Sequence, residues 1–282
     1  MRISKKKIAF VLSCLLSLCI TTPSHAQETP RLDSIQCFII GFDIGTLIPS
    51  DKGSAVSLAN GTTSRNATMH SLYKAPWLDF GINGFYKWKE NWLISVEGDF
   101  WFGSDNLKHR EARMANIYSR DGIIIGTNGT DAVVTAYNRA ISIKGGIGKI
   151  FPVMPSVNPN SGIFTRLSGG WLQQQTIFTL NEVNAPQVDG DYALLYDHQR
   201  QGVMLTEGLG FWFMSNRANL INFYVLFELS QCWSRSTRDY MIDGYLNLKG
   251  KDNNRYFDLL YTLKLCWMFP LKGKTIHEYY YF

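Results

Sequence analysis

Two sets of residues in this chain could do chemistry, its histidines and a series of acids and bases spaced among apolar residues. Outside the first 26 residues the histidines are His70, His109, His198 and His277. A hydrolase or acyltransferase needs a nucleophile with a positioned histidine, or a carboxylate that orients one. The local candidates are His70 beside Ser71 and the pair Asp197-His198. All four histidines fall in segments that read as loops or tail. The His and Cys residues show no metal-ligand spacing. The expectation is therefore no catalytic residue, no cofactor, no metal and no enzyme activity.

The second set is more regular. In YFDLLYTLKLCWMF, from Tyr256 to Phe269, every second residue from Phe257 to Trp267 is apolar, and Asp258 and Lys264 lie between them. A strand puts alternate side chains on opposite faces, so one face is greasy and the other carries an acid and a base. The same parity turns Asp43, Glu97, Asp99, Lys144, Arg166 and Glu228 away from the apolar face of their segments. Eight charges, with Asp258 and Lys264, are thus expected to point inward. An eight-stranded barrel is just wide enough inside for side chains to fill it. Buried charges have to pair, so these should form an ion-pair network that fills the lumen rather than an ion path.

The elements that position them read as strands over residues 37–48, 77–88, 92–103, 139–149, 162–174, 202–214, 220–233 and 255–269. Their apolar faces are rich in aromatics and long enough to cross a bilayer. The fold class is all-β, an eight-stranded antiparallel transmembrane β-barrel with long extracellular loops, over residues 27–282. Lys89-Glu90-Asn91 is a tight turn between Trp88 and Trp92. Short turns mark the periplasmic end of such barrels, and tryptophans mark the membrane interface. The second turn at this end, over 150–161, is longer than usual and is stiffened by Pro152, Pro155 and Pro159. In the sixth strand the parity puts Glu207 on the lipid side, which calls for a bulge or a position near the interface.

Residues 1–26 read as a cleaved secretory signal. Arg2, Lys5, Lys6 and Lys7 precede an apolar run, and Ser24-His25-Ala26 is a small-x-small site. The formal charge of +5 falls to +1 without those four cations, so nothing favours nucleic acid as a partner. Cys37, Cys232 and Cys266 remain, an odd number that is no disulfide framework. Cys232 and Cys266 fall on the last two strands, and small interior side chains are a simpler reading of them than a pair. The outer membrane, with its lipid as the surrounding partner, is the expected location.

Several stretches carry a resemblance to a known family. They are DGIIIGTNGT (121–130), GGIGKIFPVM (145–154), NPNSGI (158–163), NAPQVDGDYA (184–193) with Tyr196-Asp197, NLINFYVLFEL (219–229) and YFDLLYTLKLCWMFPL (256–271). They resemble small outer-membrane barrels of the Bacteroidota, of the PorG type associated with type IX protein secretion. The resemblance implies a non-enzymatic accessory that couples periplasmic ring components of that machine to the outer membrane. No site residue is carried over with it. A tail ending Tyr279-Tyr280-Tyr281-Phe282 departs from the pattern, and Phe269 stands where the terminal aromatic of a barrel would. The proline-rich turn and this tail are the natural partner surfaces. The alternatives are a free-standing structural barrel of the OmpA transmembrane type and a small-solute pore.

Overall fold

The computed structural model describes residues 34–56, 68–155, 158–181, 184–215 and 221–271. The signal segment, His277 and the terminal tail lie outside the described residues. Eight long strands form the wall: β1 (Cys37–Pro49), β2 (Trp77–Lys87), β3 (Trp92–Phe102), β4 (Val133–Pro152), β5 (Gly162–Asn181), β6 (Arg200–Met214), β7 (Asn222–Ser236) and β8 (Arg255–Leu271). Each pairs antiparallel with the next. β8 returns to β1, with Phe38 opposite Leu271 and Pro49 opposite Leu260, so the sheet closes. A closed ring leaves no unpaired edge, which is what allows a sheet to sit in lipid.

The outer face is apolar on every strand. Phe38, Ile82, Val96, Ile143, Leu167, Val203, Phe227 and Trp267 all stand exposed. An apolar band of this extent on a water-soluble protein would drive association, and in a bilayer it is the lipid contact. Its periplasmic rim carries a girdle. The Phe38 and Tyr86 rings lie 4.6 Å apart, Tyr86 meets Trp88 at 4.9 Å, and Lys149 sits 4.7 Å from the Trp92 ring.

Two strands run past the expected limits. β4 starts six residues earlier than the alternation indicated, and β5 ends seven later, paired from Val133–Asn181 to Pro152–Gly162. The outward residues there are mostly polar, Thr135, Arg139, Gln173, Gln175 and Thr179, with Val133, Tyr137 and Ile177 between them. Above the bilayer the outer face meets water, so the hydropathy alternation stops while the hydrogen-bond ladder continues. In β6 no bulge occurs. Its register with β5 and β7 is unbroken, and Glu207 is half-buried on the outer face, midway along the strand.

The connections outside are folded too. The first carries a short strand, Ser54–Val56, that pairs with the start of β8, and a helical turn, Met69–Leu72. The second carries the turn Arg110–Arg113, and the last a small hairpin, Met241–Asp243 with Leu248–Gly250. The second connection also makes a turn at 127–130: Gly129 has φ of 73°, and the Gly126 amide donates to the Thr130 carbonyl at 2.9 Å.

Candidate functional site

The lumen is filled in three layers. At the extracellular end Leu47, Trp77, Trp101, Leu172, Tyr256 and Leu260 form an apolar cluster with the first loop. At the periplasmic end the rings of Phe85, Phe164, Trp212 and Tyr224 pack together with centroids 5.1–5.9 Å apart. Such ring pairs contribute about 0.5–1.5 kcal/mol each beyond the area they bury. Between these layers lie the charges.

Lys264 Nζ approaches Glu97 Oε1 at 2.5 Å, Asp99 Oδ1 at 2.6 Å, Asp79 Oδ2 at 3.1 Å, Asp43 Oδ1 at 3.6 Å and Glu228 Oε2 at 3.7 Å. Lys144 Nζ is 2.9 Å from Asp99 Oδ2 and 3.4 Å from both Glu97 and Glu228. Arg166 Nη2 reaches Glu97 Oε2 at 2.6 Å and also pairs with Glu228. Ser142 Oγ donates to Asp99 Oδ2 at 2.8 Å, and Asn83 donates to Asp43. Seven of the eight strands supply a member. A Cβ on Gly81 would stand 2.5 Å from Asp43 Oδ2, so glycine there makes room for the Asp43 carboxylate.

Seven of the eight expected charges therefore meet: Asp43, Glu97, Asp99, Lys144, Arg166, Glu228 and Lys264. Asp258 is the correction. It is buried, but above the ionic layer, where its Oδ1 accepts from the Met69 backbone amide at 2.6 Å. It fastens the first loop across the barrel mouth instead of joining the network. Two strand positions separate the inward Asp258, Leu260, Thr262 and Lys264, and that spacing carries Asp258 out of the charged level. Asp79 is the member that sequence reasoning missed. Its signal was available, because it stands between outward Leu78 and Phe80 on β2. Asp43, Asp79 and Asp99 each bring a carboxylate oxygen within 4.8 Å of the others.

Among the described residues, His70, His109 and His198 each have partners other than the ones the sequence placed beside them. Ser71 Oγ donates to the Thr68 carbonyl, while His70 Nδ1 lies 3.1 Å from the Pro49 carbonyl. His109 stacks on Tyr245 at 4.4 Å. Asp197 is engaged by Arg238 through two nitrogens, not by His198. His198 is buried, with Nε2 2.9 Å from Asp243 Oδ2, and Arg113 Nη1 is 2.5 Å from the same oxygen. Asp243 Oδ1 accepts from the Leu246 amide at 2.9 Å. Burial pushes His198 below its usual range, against the pull of the Asp243 hydrogen bond. For Asp243 burial acts upward, and the His198 hydrogen bond and the Arg113 charge outweigh it and hold the carboxyl low. This cluster joins three connections into a crown. Arg113 also donates to the Lys108 carbonyl, and the Ile242 amide donates to the Leu195 carbonyl.

The periplasmic mouth is closed by the proline-rich turn that sequence reasoning offered as a partner surface. Asn160 Oδ1 accepts from the Ile35 amide at 2.9 Å and from Lys87 Nζ at 3.0 Å. Asn91 Nδ2 donates to the Pro159 carbonyl, and Asn158 Nδ2 to the Met214 carbonyl, both at 2.9 Å. Val153 and Met154 remain exposed at its tip. Cys232 lies in the upper apolar layer and Cys266 in the aromatic one, and both are free. Asp258, opposite Cys232, is eight positions from Cys266, about 26 Å along the strand, so the two cysteines cannot pair.

No protein-family model matches this chain, and no curated protein matches it. Among solved structures it is similar to OprG, an outer-membrane protein of Pseudomonas aeruginosa, at 13% identity over 84% of this chain and 97% of that one, with a TM-score of 0.38. It is similar to Ail, the attachment invasion locus protein of Yersinia pestis, at 10% identity over 82% and 99%, with a TM-score of 0.36. Neisserial surface protein A matches at 11% identity over 80% and 95%, with a TM-score of 0.33. The chain's own strand pairing, closed from β8 back to β1, makes it an eight-stranded antiparallel β-barrel.

Proposed function

We propose that the chain is a non-enzymatic outer-membrane anchor for a protein assembly, working as an accessory of the type IX secretion machinery. The observation that carries the anchoring role is the closed lumen. An ionic layer lies between two apolar layers, which disfavours a solute path and leaves the two rims to do the work. The link to type IX secretion rests on the resemblance of the stretches between Asp121 and Leu271 to PorG-type barrels. The partners would be periplasmic ring components. The turn after β4 supports this placement, because half of it seals the mouth while Val153 and Met154 are left as an apolar tip. The test is capture of the tagged protein from native outer membranes in mild detergent, compared with a Val153→Asp, Met154→Asp variant. Recovery of ring components by the wild type, lost in the variant, is expected. Recovery of the barrel alone from membranes with an intact machine would overturn the reading in favour of a free-standing structural barrel. Conductance in planar bilayers would overturn the closed lumen and favour a pore.

A further inference from the structure

The outer wall carries two arginines that its register forces together. Arg235 near the end of β7 and Arg255 at the start of β8 are directly opposite in the ladder, and both are exposed. Both follow the outward parity of their strands, with Trp233 and Phe257 next below them on the same face. Directly opposed side chains on one face have Cβ atoms about 4.5–5.5 Å apart, and like charges placed so repel. Among the described residues neither arginine has a hydrogen bond or an ion pair. The acids nearest to them in the chain are engaged elsewhere. Asp252 accepts from the Asn254 amide and the Tyr256 hydroxyl, Asp258 is buried at the barrel mouth, and Asp239 meets Lys251. Arg110, Arg113 and Arg238, at the same end of the barrel, each have a carboxylate. The next residue in the row adds a donor, because Gln201 on β6 is opposite Arg235 and on the outward face.

The height of the pair is set by the wall below it. The outward face of β7 is apolar from Phe223 to Trp233 except at Gln231. That stretch rises about 33 Å along the strand, or about 25 Å across a bilayer at the usual tilt, which is the full height of a lipid-facing band. Trp233 and Phe257, with ring centroids 5.6 Å apart, therefore close the band at its extracellular limit. The two guanidinium groups begin where lipid headgroups lie.

We infer that Arg235 and Arg255 hold the phosphate of an anionic lipid in the outer leaflet, with Gln201 as a neutral donor and the Trp233–Phe257 pair against the upper part of its acyl chains. A phosphate set between two guanidinium groups replaces their repulsion with charge-assisted hydrogen bonds, and the planar fork of arginine suits its oxygens. The aromatic pair directly below favours a phosphate that carries acyl chains over a free one. The site does not depend on a secretion partner, since it lies on the wall at the other end of the barrel from Val153 and Met154.

The test refolds the full barrel into neutral detergent micelles doped with a phosphatidic acid, with a phosphatidylcholine of the same chains, or with inorganic phosphate alone. Bound lipid is counted by native mass spectrometry, and melting is followed in each. The wild type should retain phosphatidic acid and melt several degrees higher with it. Phosphatidylcholine, whose choline cancels the phosphate charge, should do neither. The double variant Arg235→Gln, Arg255→Gln should weaken retention at least about tenfold, the equivalent of one charge-assisted contact. With phosphatidylcholine the same variant should melt at or slightly above the wild type, because the opposed charges are gone. Arg120→Gln, which removes an exposed cation from the second connection, should leave retention unchanged. Equal retention by the wild type and the double variant, or of the two lipids by the wild type, would overturn the proposal. The same shift with inorganic phosphate alone would overturn the lipid in favour of a free anion. The wild-type comparison decides even where the double variant fails to refold.

Discussion

The ionic layer of the lumen and the Arg113–Asp243–His198 cluster of the crown are both buried and both charged, and different forces hold them in place. The lumen charges sit on seven strands whose positions are fixed by continuous ladders closed into a ring. Their side chains meet because the backbone brings them together. The crown residues come from three connections with few backbone ties between them, among them Gly244 to Arg113 and Ile242 to Leu195. There the side chains themselves fix the relative positions of the connections. The same kind of interaction is therefore a consequence of the fold in one region and a cause of it in the other.

The strongest way to break this comparison is Glu97→Ala. Glu97 touches Lys144, Arg166 and Lys264, and its loss leaves three buried cations short of a partner. Breaking a buried pair costs about 3–5 kcal/mol, so the urea midpoint of the refolded barrel should fall by a corresponding amount. A loss below about 1 kcal/mol, within the ordinary scatter of single substitutions, would mean that the layer does not act as one network. Arg113→Ala should cost about 3 kcal/mol by the same physics, but locally. Limited proteolysis within the second and fourth connections should rise steeply while the urea midpoint of the barrel barely moves. A barrel midpoint that falls with it would show that crown and wall unfold as one unit.

Acid separates the regions further. Burial lowers the His198 pKa in the folded crown, so below about 6.5 the open form binds a proton that the closed form resists. Stability from His198 is present above that value and is lost as pH falls toward the folded pKa, by at most about 1.4 kcal/mol per unit. Asp243, held low, adds a second loss below the ordinary aspartate value of about 3.9, as pH falls through its folded pKa. Arg113 and Arg200 face the same histidine and oppose its protonation, while Asp243 favours it. Hydrogen exchange of the crown amides should therefore quicken below about pH 6.5, and a flat profile between neutral and acid pH would remove His198 from that role. The smallest effect is expected where neither cluster is touched. Glu207→Gln on the outer wall should stabilise the barrel by about 1 kcal/mol or less, because it removes an acid from the lipid face. A destabilised variant would show that Glu207 has a polar partner in the membrane.

Most of the wall was legible because a strand in lipid writes its two faces as strict alternation. Phe257 to Trp267 shows this on β8, as does Trp92 to Phe100 on β3. The same parity turns seven network members inward. It does not report height along the barrel axis, which depends on the register between strands. That is why Asp258 shares its parity with Lys264 yet holds Met69 at the mouth, and why Cys232 and Cys266 share adjacent strands yet lie in different layers. The upper halves of β4 and β5 were hidden for another reason. Thr135, Arg139, Gln173 and Gln175 meet water, so their ladder has no hydropathy signature.

The crown was the least legible, because His198 and Asp243 are 45 positions apart in the chain and neither lies in a periodic segment. Sequence alone thus determined that the chain is a lipid-facing barrel with a charged interior, since each residue's face follows from its immediate neighbours. Which charges meet, and at what level, were decided by strand register and loop closure, which no local pattern encodes.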